Sequence, residues 1–137
     1  RGAATVTGSG TVELWAPGRD PGAEVRIPKG LSRPGRPLAA PGLREAGLSL
    51  RLVAREGAVA LAGRAADLER IRSVLVLKPD GAEIPSSGRQ VTSDGAASTL
   101  EVFLAEPPPP DATLVLGLLT RKSVLAVPFE LKEVPLP

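Results

Sequence analysis

Apolar and polar residues alternate with a period of two through much of this chain. Leu48, Leu50 and Leu52 are separated by Ser49 and Arg51, Val59 and Leu61 continue the pattern after a Glu56-Gly57 turn, and Leu100, Val102 and Leu104 repeat it. Alternation of this kind predicts strands with one buried face. Ser73 to Leu77 reads as a continuous apolar strand, and Lys78-Pro79-Asp80-Gly81 as a tight turn returning through Ala82 to Ile84. In that turn Pro fixes φ, Asp favours the following position and Gly tolerates positive φ. Thr113 to Leu119, the connection Thr120-Arg121-Lys122-Ser123 and the return Val124 to Lys132 read as a hairpin, with Val127, Phe129 and Leu131 on one face.

About seven strands thus follow Leu48, the number and spacing of an immunoglobulin-like β-sandwich, with a partly open barrel as the competing architecture. Ala65 to Arg72 reads as a short helical connection at most, capped by Asp67, and Pro107 to Pro110 as an exposed polyproline spacer.

The first third differs. Prolines and glycines crowd residues 16–47, removing backbone donors and raising the entropy cost of order, so regular helix is excluded there and short extended pieces are expected. Thr11 to Trp15 and Ala23 to Ile27 are those pieces, while Arg1 to Gly10 reads as small and flexible. The predicted organisation is an extended Pro/Gly-rich arm over residues 1–47 and a sandwich over residues 48–137.

Two stretches carry a resemblance. Ser73-Val-Leu-Val-Leu-Lys-Pro-Asp-Gly-Ala-Glu-Ile84 and Val127-Pro-Phe-Glu-Leu-Lys-Glu-Val-Pro-Leu-Pro137 resemble bacterial immunoglobulin-like or fibronectin-III-like modules of envelope proteins. The resemblance implies a β-sandwich with an exported, interaction-type role, and it carries no catalytic residues.

Composition narrows the chemistry. The chain of 137 residues suits a single core, and with only Trp15, Phe103 and Phe129 as aromatics that core must be aliphatic. Cys, Met, His, Tyr and Asn are absent and Arg far outnumbers Lys, as expected of a GC-rich coding bias or of heat adaptation. The start at Arg1 is that of a chain relieved of a leader or cut from something longer, and the expectation is a processed, exported protein. The longest apolar stretches, such as Ala112 to Leu119, fall short of the roughly 20 residues of a membrane-spanning helix.

Without His or Cys, neither the usual nucleophile-base pairs nor typical zinc sites can be assembled. The adjacent pair Lys122-Ser123 reads as a turn, since neighbouring side chains point apart. Asp67 with Glu69, Asp80 with Glu83, and Asp94 are the paired-carboxylate candidates for glycoside hydrolysis or calcium binding, but none has diagnostic spacing. The reading is a non-enzyme without cofactor or metal, with a carboxylate-only hydrolase as a distant alternative.

Two surface features remain. Val12, Leu14 and Trp15 form a strand able either to close the chain's own sheet or to pair with a neighbour's open edge. Arg26, Lys29, Arg33, Arg36 and Arg44 place five cations on the arm with no acid between the first and the last, an arrangement suited to an anionic polymer such as nucleic acid or acidic polysaccharide. The net charge of only +2 and the lack of stacking aromatics favour a solvated loop instead. Sequence therefore predicts a structural or protein-interaction module of a bacterial envelope or extracellular assembly, with anionic-polymer binding as the alternative.

Overall fold

A computed structural model describes residues 4–137. The fold is mostly β, with nine antiparallel strands among the described residues: β1 (Thr5–Trp15), β2 (Glu24–Ile27), β3 (Arg51–Val53), β4 (Ala58–Gly63), β5 (Ile71–Leu77), β6 (Ser86–Asp94), β7 (Ala97–Leu104), β8 (Thr113–Leu118) and β9 (Val124–Pro135). They form a three-stranded sheet β2-β8-β5, a four-stranded sheet β3-β4-β7-β6, and a separate ribbon of β1 with β9.

One aliphatic cluster joins the two sheets. Val25 and Ile27 of β2, Val74 and Val76 of β5 and Leu114, Leu116 and Leu118 of β8 meet Leu52 of β3, Val59 and Leu61 of β4 and Leu100 and Val102 of β7. These are every second residue of their strands, so the period-two pattern supplies both inner faces of a sandwich. Two single-turn helices add to the same core: α1 (Pro41–Glu45) through Leu43 and α2 (Ala65–Glu69) through Leu68.

The sandwich has seven strands, though not the seven read from the sequence. Ala82 to Ile84 folds back on β5 through the expected turn, with Gly81 at φ 88°, but makes only the isolated bridge between Leu77 and Glu83. β6, exposed along its whole length, is an edge strand that the sequence does not announce. Its one large apolar side chain, Val91, gives no period to detect.

The expected β8–β9 hairpin does not form. Thr120 and Ser123 make a reciprocal capping box that turns the connection into one 3-10 turn, and Val124 then leaves the sheet to pair with Trp15. The place beside β8 is taken by β2, with Val25 opposite Leu116 and Ile27 opposite Leu114.

Three smaller expectations are also corrected. One turn of helix does form in the Pro/Gly-rich third, where Pro41 sits at the first helical position and needs no donor. Asp67 does not cap α2: Arg64 is the N-cap residue, and its guanidinium grips the buried Asp67 carboxylate at 2.9 and 3.0 Å. The flexible stretch expected over Arg1 to Gly10 is β1 from Thr5 onward, its first three residues lying outside the described ones.

Candidate functional site

The ribbon is held to the body at one end. Trp15 donates its indole N–H to the Leu118 carbonyl at 3.1 Å, and its six-membered ring lies over Gly117, where an added Cβ would meet Cη2 and Cζ2 at 2.8 and 2.9 Å. Next to it the Ala16 N–H donates to the Ser123 carbonyl, and the Thr120 hydroxyl donates to Asp20 at 2.5 Å. That hydroxyl, with help from the Gly22 N–H and the charge of Lys122, holds the Asp20 carboxyl below its usual range. Ser123 is fully buried, its hydroxyl bonded to both the N–H and the carbonyl of Thr120.

From this buckle the strands run in register from Trp15 opposite Val124 to Thr5 opposite Pro135, a ribbon of roughly 35 Å at the usual strand rise. Apart from each other, neither strand makes more than marginal contact with any other element among the described residues.

The pairing sorts the side chains onto two faces. The pairs Leu14 with Leu125, Val12 with Val127, Gly10 with Phe129, Gly8 with Leu131 and Val6 with Val134 fall on one of them. A bulge between Val6 and Gly8, with Glu133 at φ 48°, absorbs the extra β9 residue and keeps Val134 on that face. No charged residue interrupts it, and its eight large side chains are each 37–48% exposed. The opposite face carries Thr11, Glu13, Ala126, Pro128 and Glu130.

Two residues that look like linker are part of this surface. The Phe129 ring covers Gly10, where a Cβ would lie 2.9 Å from it, while the space above Gly8 is open. The aromatic thus fills what its cross-strand neighbour lacks.

Of the partner-strand candidates, Val12 and Leu14 lie on the apolar face and Trp15 on the other parity at the buckle. All three belong to a strand paired within the chain, but with β9 rather than in either sandwich sheet. The β9 half of the surface, from Leu125 to Val134, escapes sequence reading because its alternation is satisfied equally well by a buried hairpin.

The basic candidates divide. Lys29, Arg33 and Arg36 line one open hollow of about 530 Å³ together with Ser32 and Pro37, and among the described residues no carboxylate borders it. Lys29 occupies it with a left-handed backbone at φ 53°, its carbonyl accepting from the Ser32 N–H and hydroxyl. Arg26 instead pairs with Glu24 on β2 at 2.9 Å, and Arg44 is exposed on α1.

The carboxylate candidates have local tasks. Asp67 is bound by Arg64, with Glu69 at the end of the same helix; the Asp80 carboxylate accepts from the Ala82 N–H in its turn, and Asp94 closes the β6–β7 hairpin opposite Ala97. Lys122 and Ser123 share the turn before β9, where the buried serine hydroxyl is committed to Thr120. Among the described residues no three carboxylates gather in a way suited to a metal ion, and no helix is long and apolar enough to cross a membrane. Comparison with family models, with curated proteins and with solved structures finds no match for this chain.

Proposed function

We propose that this chain is a non-catalytic structural or protein-interaction module of a bacterial envelope or extracellular assembly, and that the β1–β9 ribbon is its contact surface. One observation carries the reading: a ten-pair ribbon presents a charge-free apolar face that nothing else among the described residues covers. At roughly 600 Å² this face lies at the upper end of the largest apolar patch of an ordinary monomer, and patches of that size are often functional.

Strand order supports the envelope-module resemblance. The order β3-β4-β7-β6 against β5-β8 is that of the A-B-E-D and C-F strands of the immunoglobulin constant-type sandwich, while the remaining strand beside β8, β2, comes first in the sandwich where strand G comes last. The cysteine pair and core tryptophan of antibody-type domains have no counterpart, since the chain has no Cys and Trp15 lies outside both sheets.

The anionic-polymer reading is favoured by a separate observation, the carboxylate-free hollow of Lys29, Arg33 and Arg36.

Lysine cross-linking of the intact chain in an extract of its source cells separates the two readings. Lys122 lies in the turn before β9, Lys132 lies within β9, and Lys29 borders the hollow. Links from Lys122 and Lys132 that disappear in Val127→Glu are the expected result. Links confined to Lys29, or none from the ribbon lysines, overturn the ribbon reading. Salt-dependent retention on heparin that falls in Arg33→Ala/Arg36→Ala supports the second reading, and unchanged elution sinks it.

A further inference from the structure

We infer that the occupant of the ribbon's apolar face is the same face of a second copy of this chain, giving a two-fold dimer in which two ribbons stack as a small four-stranded, two-layer β structure. The inference rests on the ribbon being the contact surface and adds who makes the contact.

Area is the first argument. Eight Val, Leu and Phe residues at 37–48% exposure present roughly 600 Å² per copy, so face-to-face stacking removes at most about 1,200 Å² from them, and with its rim reaches the lower bound of a standard stable interface.

Complementarity is the second. A two-fold contact places one patch against itself, so any charge on it would meet its own like; here Leu14, Val12, Val127, Phe129, Leu131 and Val134 offer none. The relief also suits self-packing. β9 contributes a ridge of large side chains, whereas β1 has glycine at two successive positions, and the space above Gly8 is free to take a side chain from the facing ribbon.

Stacking is preferred to edge-to-edge pairing through β9 because that strand carries Pro128, which has no N–H for a further strand and belongs where the missing donor faces outward. A lone two-stranded ribbon is marginal in water, and a second layer supplies the burial that neither sheet of the body provides.

Sedimentation equilibrium of the purified full chain, from about 1 to about 100 μM, tests the inference. The wild type is expected to dimerise. Val127→Glu on the apolar face should raise the dissociation constant at least about 100-fold, because it buries an unpaired charge in each copy, while Ala126→Glu on the other face should leave it unchanged.

A second measurement guards against Val127→Glu merely unzipping the ribbon. The chain has no cysteine, so Val12→Cys and Thr11→Cys each create a unique thiol, one per face. Labelling of Val12→Cys by a bulky maleimide should slow as protein concentration rises, and labelling of Thr11→Cys should not. A wild type still monomeric at about 100 μM, a dimer indifferent to Val127→Glu, or Val12→Cys labelling independent of concentration overturns the proposal. Monomer in pure solution together with ribbon-dependent cross-links in the extract would remove self-association alone, whereas loss of both removes the interaction reading as well.

Discussion

Replacing Gly117 by Ala should loosen the attachment of the ribbon, by an amount that follows from geometry. Gly117 is buried in the middle strand of its sheet, opposite Glu24 and Ser73, on the parity that faces away from the core. An added Cβ would lie 2.2 Å from the Ser73 hydroxyl oxygen and 2.8 and 2.9 Å from the Trp15 ring. The hydroxyl can rotate away. The indole cannot retreat without giving up its hydrogen bond to Leu118. Overpacking of this kind costs about 1–3 kcal/mol, and the entropy gained in exchanging Gly for Ala returns about 0.5–1 kcal/mol, leaving a net loss of about 0–2.5 kcal/mol, centred near 1.

Trp15 is the only tryptophan and the chain has no tyrosine, so its fluorescence reports the buckle without interference. Urea unfolding should show a lower midpoint in Gly117→Ala, and native emission should shift to the red as the ring gains water. Adding Ser73→Ala should not restore stability, because the hydroxyl is the easier of the two contacts to relieve. A variant as stable as wild type with native emission unchanged would refute the reasoning, and full rescue by Ser73→Ala would transfer the strain from Trp15 to Ser73.

Three further outcomes follow from the packing and electrostatics. Leu116→Ala, in the fully buried cluster, should cost about 2–5 kcal/mol in urea unfolding, whereas Val127→Ala on the ribbon should change the stability of the body by no more than about 0.5 kcal/mol. Asp20, held low chiefly by the Thr120 hydroxyl, and Glu101, held low by Gln90 and then Arg55, bind protons more weakly in the fold than in the unfolded chain. Their contribution is complete above the unfolded carboxylate range of about pH 4 and is lost as pH falls through the lowered folded values, so Asp20→Asn and Glu101→Gln should flatten the acid limb of a stability-pH profile. Gly95→Val should destabilise the β6–β7 hairpin, since Gly95 holds φ 62°, a conformation that costs a β-branched residue about 1 kcal/mol or more; thermal melting checks this.

What the sequence made legible was burial, not partnership. Leu100 and Val102, Leu114 and Leu116, and Val74 and Val76 all declare an inner face and occupy one. Alternation does not name the neighbouring strand, however, and Val127, Phe129 and Leu131 carry as good a period in an exposed ribbon as in a buried hairpin. Their redirection depends on the reciprocal bonds of Thr120 and Ser123, a three-residue event with little compositional signal. β1 was half hidden because Gly8 and Gly10 occupy its apolar parity, so the period vanishes where Phe129 supplies the missing bulk. The basic stretch was visible as a run of charge, but only the turn at Lys29 brings three of its five cations around one hollow.

The ribbon also fixes an order of events. β1 precedes and β9 follows the seven strands of the body, so β1 waits for its mate until those seven strands have been made. The seven-stranded body can close in the meantime, and zipping then starts at Trp15, where the ends are already tethered, and runs outward to Thr5 and Pro135. Deleting residues at the Thr5 or the Pro135 end of the ribbon should therefore unzip the strip from its tip and leave the body folded. A nascent or clipped chain would carry one greasy, unmated strand, a natural target for chaperones or proteases.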